Sequence, residues 1–401
     1  MQAVAERALA DGHEVHVFVT DAWDLEYCWD ARRRRIEVAE EVINGVAVHR
    51  LPIRHYPASR LAFPLVRRGM GELSRFPLPG VQRGLAQLSR LQPLGPGLHA
   101  ALDQHGPFDL LHAGNIGLEG LTVGAMHYAR ARSIPFVLMP FIHLGEEDDA
   151  RARRYVQMPH QLEVYRSAQA FTVNTQQEVD FLTRHGVDAR RIVITGSGVD
   201  VDAVRGGDGA AFRTRHAVQG TLIATLGAMA WEKGTPHVVQ AVQQLRAAGR
   251  EVSVALAGPA MSAFSSWLDQ QRSRDGVLLL GYIADDERRD LLAAADMVVL
   301  PSRTESFGIV YLEAWVNHLP VIAARAGAVP LLVEHEVNGL LVDYGDVYAL
   351  AESIVRLTDD PVLRDRLAMS GERRALGQFT WEQVTTRAMH AHALALGLAT
   401  V

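Results

Sequence analysis

The chain has 401 residues, of which 48 % are apolar and 21 % charged, with a formal net charge of −6 at neutral pH. That length suits two or three domains, and the balance is globular, without the positive excess of a dedicated nucleic-acid binder. Cys28 is the only cysteine, and no apolar run approaches the roughly 18 residues of a membrane-spanning helix, so a disulfide framework and a cysteine-rich metal site are excluded and a reducing, cytoplasmic setting is expected.

The chain opens with "QAVAERALADGH" (2–13), a helical pattern rather than the apolar stretch of a signal peptide. The apolar run "EVHVFVT" (14–20) follows. A doubly wound α/β unit normally begins with a strand near the sheet centre. The expectation is therefore that a first strand and its glycine-rich loop are absent; the alternative is that the helix is a plain extension. Further strands are expected at "VAVHRLP" (46–52), "DLLHAG" (109–114), "PFVLMPF" (135–141), "AFTVNT" (170–175) and "RIVITGSG" (191–198).

Residues 51–100 hold seven arginines and one acid, Glu72. They read either as solvated helices packed on a sheet or as a basic amphipathic surface. The second reading would suit a lipid headgroup or a phosphorylated acceptor and allow peripheral contact with the inner membrane face. "DAVRGGDGAAF" (202–212) is glycine-rich and lacks periodicity, and so reads as a linker. Beyond it, strands are expected at "TLIATLGA" (221–228), "VSVALAGP" (252–259), "VLLLGYI" (277–283), "DMVVLPS" (296–302) and "PVIAARA" (320–326). Strands alternating with amphipathic stretches predict two doubly wound Rossmann-like domains. Such sheets bind ligands at the carboxyl ends of their strands, so the two are expected to face each other across a cleft.

Within "VVLPSRTESFGIVYLEAW" (298–315) the pattern predicts a strand, a loop carrying Glu305, and a helix starting near Gly308. The N–H groups at a helix start attract phosphate, and glycine lets backbone approach a ligand closely. Glu305 and Glu313, with about 12 Å of rise between them if helical, would grip two ends of a long ligand rather than one atom. Glutamate accepts well from vicinal hydroxyls, so a sugar–diphosphate–nucleoside has the matching order of groups. On spacing alone, an ordinary strand-to-helix corner with solvated glutamates fits equally well.

These residues resemble the E-x7-E signature of the retaining GT-B glycosyltransferases of family 4. "LGAMAWEKGTPHVVQAV" (226–242) is similar to that family's phosphate-binding lysine segment, and "LLLGYIADDERRDLLAAADMVVLPS" (278–302) to its base-binding strand and following helix. "AGAVPLLVEHEVNGLLVDYGD" (326–346), "FTWEQV" (379–384) and the stretch 153–200 extend the likeness over nearly the whole chain. The resemblance implies that Glu305 contacts donor-sugar hydroxyls and Glu313 the ribose. It implies that the backbone of Phe307, Gly308 and Ile309 meets the phosphates, beside Gly227, and that Lys233 neutralises the departing diphosphate. Tyr282 and Ile283 would present backbone groups to the base, and His143 would lie near the reacting sugar. Read alone, Lys233 is an ordinary solvated lysine, His143 a structural histidine and Tyr282 and Ile283 core residues.

Two departures stand out. Ala228 occupies the place where the family usually has an arginine, and the family's first strand and glycine-rich loop are expected to be missing.

The organisation expected is an acceptor-binding domain over 1–205, a donor-binding domain over 206–384, and a C-terminal helix, 385–401, crossing back toward the first domain. The function expected is retaining hexosyl transfer from a nucleotide diphosphate sugar to an acceptor hydroxyl, the acceptor being lipid-linked or anionic. Same-face substitution without a metal or other cofactor is the expected route, since the histidines show no ligand spacing and no second cluster accompanies Asp148 and Asp149. A reading from another class is an inactive homologue that binds a nucleotide sugar or a partner enzyme. A nucleotide-sugar hydrolase or a phosphorylase of the same fold is a third.

Overall fold

A computed structural model describes residues 1–76, 78–93, 95–142, 144 and 154–398. The described residues fall into two compact α/β units. The first takes in those up to Thr195 and those from Thr385 onward; the second runs from Gly196 to Val384. The boundary expected at 205/206 thus lies inside the second unit.

In the first unit the strands are β1 (His16–Thr20), β2 (Glu40–Ile43), β3 (Val46–Leu51), β4 (Leu111–Gly114), β5 (Phe136–Met139), β6 (Ala170–Val173) and β7 (Ile192–Ile194). They form two sheets, β1-β3-β2 and β4-β5-β6-β7, rather than one. β3 pairs in parallel with β1 and antiparallel with β2. The antiparallel pair turns at Asn44-Gly45, both at positive φ, the backbone that a tight hairpin needs. Among the described residues β1 and β4 each pair on one side only.

Over 51–100 the chain forms the helices Ser59–Leu73, Pro79–Ser89 and Leu98–His105. One arginine there turns inward: Arg67 pairs with the fully buried Glu119, which also accepts from Gln161 Nε2 at 2.7 Å. Leu61 and Leu65 remain exposed on the first helix. Among the described residues no helix is long and apolar enough to cross a membrane.

The second unit holds β8 (Thr221–Leu226), β9 (Val252–Ala257), β10 (Val277–Gly281), β11 (Met297–Leu300), β12 (Val321–Ala324) and β13 (Leu340–Val342). They form one parallel sheet in the order β10-β9-β8-β11-β12-β13. Both faces are covered: Leu222 and Ala224 point into one apolar cluster, and Ile223 into the other. This is why β8 reads as a continuous apolar run instead of an alternating one.

The stretch 202–212, expected as an aperiodic linker, is partly helical. It forms two short helices, Val201–Val204 and Gly209–Arg215, capped by Asp200 and Asp208. Their side chains accept from Ala203 N at 3.0 Å and Ala211 N at 2.9 Å. The glycines serve contact rather than flexibility. A Cβ on Gly207 or Gly209 would collide with the backbone of Arg289 or Ala293 in the helix Asp285–Ala294.

Candidate active site

The six parallel strands of the second unit end along one edge, at Leu226, Ala257, Gly281, Leu300, Ala324 and Val342. Gly227 follows β8 directly, at φ 123°, and its N–H donates to Ala257 O at 2.8 Å. The loop continues through the half-buried Ala228 to Lys233 and closes at Gly234. Gly234 sits at φ 71° and opens the helix Thr235–Ala247. A side chain on Gly234 would strike the backbone of Pro301, so this loop lies against the one that follows β11. Glu232 O accepts from Arg303 N at 2.8 Å, tying the two loops together.

Between them stands an ion pair. Lys233 Nζ lies 2.7 Å from Glu305 Oε2, with the two side chains 30 % and 14 % exposed. The pair is open enough for a ligand to reach and closed enough for its charges to be weakly screened.

Gly308, at φ 94°, is the N-cap of the helix Ile309–Val316. A side chain there would run into the Tyr311 ring, so the turn needs glycine for both conformation and space. The first N–H groups of this helix have no acceptor within it. Phe307 is buried edge-on against Phe379, with ring centroids 5.3 Å apart, which fixes the loop from below.

Glu313 lies one turn into the helix and is 6 % exposed. Arg288, from the helix Asp285–Ala294, donates to its Oε1, while Oε2 has no hydrogen-bond partner among the described residues. Burial raises the carboxyl pKa above its ordinary value, and Arg288 pulls the other way. Arg288 was not picked out from the sequence. It lies 25 residues from Glu313 in a run of mixed charge, and no spacing rule joins two separate helices.

Tyr282 and Ile283 follow β10 as expected. Tyr282 is 85 % exposed, so neither residue is plain core, although Ile283 packs against the apolar cluster beneath. His143 lies outside the described residues, as do Asp148 and Asp149. The second unit therefore brings together Gly227, Lys233, Glu305, Phe307, Gly308, Ile309 and Glu313 around one strand edge and one helix start.

Residues 1–198 match the family "Glycosyl transferase 4-like domain", and residues 220–360 match "Glycosyl transferases group 1". The chain carries these two matched domains in a GT-B fold. It is similar to a D-inositol 3-phosphate glycosyltransferase of Xylanimonas cellulosilytica, 31 % identical over 58 % of this chain and 58 % of that protein. The chain spans about half the length of the curated relatives it matches. Among solved structures, sucrose-phosphate synthase of Thermosynechococcus elongatus shares its fold at a TM-score of 0.71 and 19 % identity, over 99 % of this chain and 92 % of that one. Anabaena HepE in complex with UDP-glucose shares it at 0.66 and 19 % identity, over 95 % and 100 %.

In this GT-B protein the two family matches meet between residues 198 and 220, the stretch that holds the Asp200 and Asp208 caps. The carboxyl-edge residues described above all fall within or beside the second match.

Proposed function

We propose that this glycosyltransferase moves a hexose from a nucleotide diphosphate sugar to an acceptor hydroxyl, with retention and without a metal ion at the donor. The observation that carries the proposal is the Lys233–Glu305 pair at the mouth of the helix Ile309–Val316, with the half-satisfied Glu313 one turn inside. A ligand with hydroxyls at both ends and a diphosphate between them matches that order of groups. HepE, which shares the fold, is a UDP-glucose complex.

In this reading the diphosphate lies against the N–H groups of Phe307, Gly308 and Ile309, where the helix dipole favours negative charge. Gly227 leaves room for its close approach. Glu305 accepts from hydroxyls of the sugar, and Glu313 Oε2 accepts from a ribose hydroxyl and so gains the partner it lacks. The backbone at Tyr282 and Ile283 contacts the base. Cleavage of the bond from the sugar's anomeric carbon to the phosphate oxygen leaves its electron pair on the diphosphate. Lys233 and the helix start stabilise that charge as it develops. The acceptor oxygen bonds to the anomeric carbon on the face the phosphate leaves, and its proton passes to the departing phosphate oxygen. In this route the departing phosphate, rather than a protein carboxylate, takes the acceptor proton, while Glu313 stays buried against Arg288. The first unit would hold the acceptor, a phosphorylated or lipid-linked one, with arginines of 51–100 as its anion contacts.

The test is incubation with a panel of nucleotide sugars and acceptor alcohols, followed by NMR assignment of the product's anomeric configuration. A product of inverted configuration, or transfer from none of the donors, would overturn the proposal.

A further inference from the structure

Three histidines far apart in the sequence meet on one face of the small sheet of the first unit. His16 opens β1, His49 lies on β3, and His105 ends the helix Leu98–His105. In the parallel register Phe18 stands opposite His49, so His16, Phe18 and His49 share a face of the sheet. One ring nitrogen from each of the three histidines lies within 4.8 Å of the other two. His16 Nδ1 and His49 Nε2 are 2.9 Å apart, and the His49 and His105 ring centroids 4.0 Å apart.

The far side of the rings is also arranged. His16 Nε2 is 3.1 Å from Glu14 Oε1, and His49 Nδ1 is 3.4 Å from Glu40 Oε1. Glu40 Oε1 also lies 3.8 Å from His105 Nε2. Two imidazoles thus turn one nitrogen inward and hold the other against a carboxylate. That is the arrangement in which a metal-bound histidine is oriented by an outer acceptor. Phe18 stacks on His49 at 4.9 Å and Phe108 meets His16 edge-on at 5.9 Å, so one wall is apolar.

We propose that His16, His49 and His105 form a transition-metal site, of zinc type, that pins the three-stranded sheet to the helix Leu98–His105. Three imidazoles with water in the fourth position suit Zn2+, whose bonds of about 2.0–2.1 Å would bring the nitrogens to about 3.3 Å from each other. Small side-chain rotations achieve this from the present separations. The side chains are 14 %, 10 % and 20 % exposed, leaving an entry path while limiting competition from water. A clamp also has a reason to exist here. The apolar contact between sheet and helix rests on a cluster with few fully buried members, Leu51, Leu98, Leu102 and Tyr128. His16 is at the amino end of its strand, whereas ligand sites of such sheets lie beyond the carboxyl ends. The metal therefore serves the fold of the first unit rather than the transfer step.

The experiment starts from the whole chain, stripped with a chelator and dialysed. Zn2+ is titrated in competition with a chromophoric chelator, Co2+ is added to a second sample for its visible spectrum, and melting is followed with and without Zn2+. The expected results are one Zn2+ per chain, Co2+ bands of tetrahedral type, and a rise in melting temperature of about 5 °C at saturating metal. His49→Ala and His105→Gln should each weaken binding at least tenfold and abolish the rise, and Glu40→Gln should weaken it about tenfold. Should His49→Ala fail to fold, His105→Gln at the helix end supplies the same readouts. The proposal is overturned if the wild-type chain takes up no Zn2+, or if both histidine variants bind it as tightly as wild type.

Discussion

Lys233 Nζ and Glu305 Oε2 lie 2.7 Å apart although 72 residues separate them in the chain. Strand order explains the meeting: β8 and β11 are neighbours, so the loops that follow them emerge side by side. Lys233→Ala should reduce turnover by at least about a hundredfold, the scale for removing one fixed group that faces developing charge. Binding of the free nucleoside diphosphate should fall less. Steady-state kinetics beside calorimetric titration separate the two, and a variant with normal turnover would remove Lys233 from the mechanism.

Glu305 and Glu313 should fail differently. Glu305→Ala should lower turnover while leaving the affinity for UDP or GDP nearly intact, because only sugar hydroxyls lose their partner. Glu313→Ala should weaken that affinity by roughly 1–3 kcal/mol, the value of hydrogen bonds to a charged group. Arg288→Ala should weaken it too, by leaving the Glu313 carboxylate buried without its cation. Equal losses of nucleotide affinity in the two glutamate variants would contradict placing them at opposite ends of the donor.

Ala228 offers a gain-of-function test. It is half-buried in the loop between Gly227 and Lys233. Ala228→Arg should strengthen diphosphate binding and raise turnover if a side chain there reaches the phosphates. Unchanged affinity for UDP and GDP would show that the position faces elsewhere.

Metal removal should separate chemistry from stability. After chelation and dialysis, kcat measured well below the unfolding temperature should persist, because Lys233 and backbone N–H groups meet the charge. The melting temperature should nevertheless fall. If turnover disappears and a divalent ion restores it in wild type and in His105→Gln alike, the donor chemistry uses a metal.

Acid should destabilise the first unit through His112 and His392, whose Nδ1 and Nε2 lie 2.9 Å apart. Burial lowers His392 to about 4 and His112 well below its ordinary value; His13 and the terminal amine add positive neighbours. Because the folded pKa is depressed, the unfolded chain binds more protons than the folded one between the two values. The stability involved is complete above the ordinary value of 6.5 and is lost as pH falls toward 4, up to about 3 kcal/mol for His392. His392→Leu should flatten the acid limb of a plot of melting temperature against pH. Parallel curves for variant and wild type would contradict this.

Most strands buried on both faces were legible from their apolar runs, within a residue or two at the leading end and with trailing ends overshot into the loops; β13 is equally buried but was missed, its three residues being too short a run to stand out. Leu226, for example, ends β8 where the run was read to 228. β2 was missed because "EEVI" is exposed and half acidic, its stability coming from pairing with β3. Its Asn44-Gly45 turn was nevertheless a usable hairpin signal. The misreading of 202–212 has one cause: glycine was taken as freedom, whereas Gly207 and Gly209 are there because a helix backbone leaves no room for a Cβ. Of the site, the glutamates, the lysine and the glycine turn could be found by resemblance. Arg288 and the histidine cluster could not, because each depends on which strands and helices become neighbours.

The helix Trp381–Ala395 begins in the second unit and finishes in the first, where Arg387 donates to Thr195 O. Among the described residues the chain therefore leaves the first unit at Gly196 and re-enters it in mid-helix at Thr385. Exchange of the second unit between related genes cannot proceed through a single crossover. It needs a second junction, and that junction has to preserve the phase of one continuous helix. A library built to trade sugar specificity between relatives should yield folded chimeras mainly when both ends of this helix come from the parent that supplies the first unit.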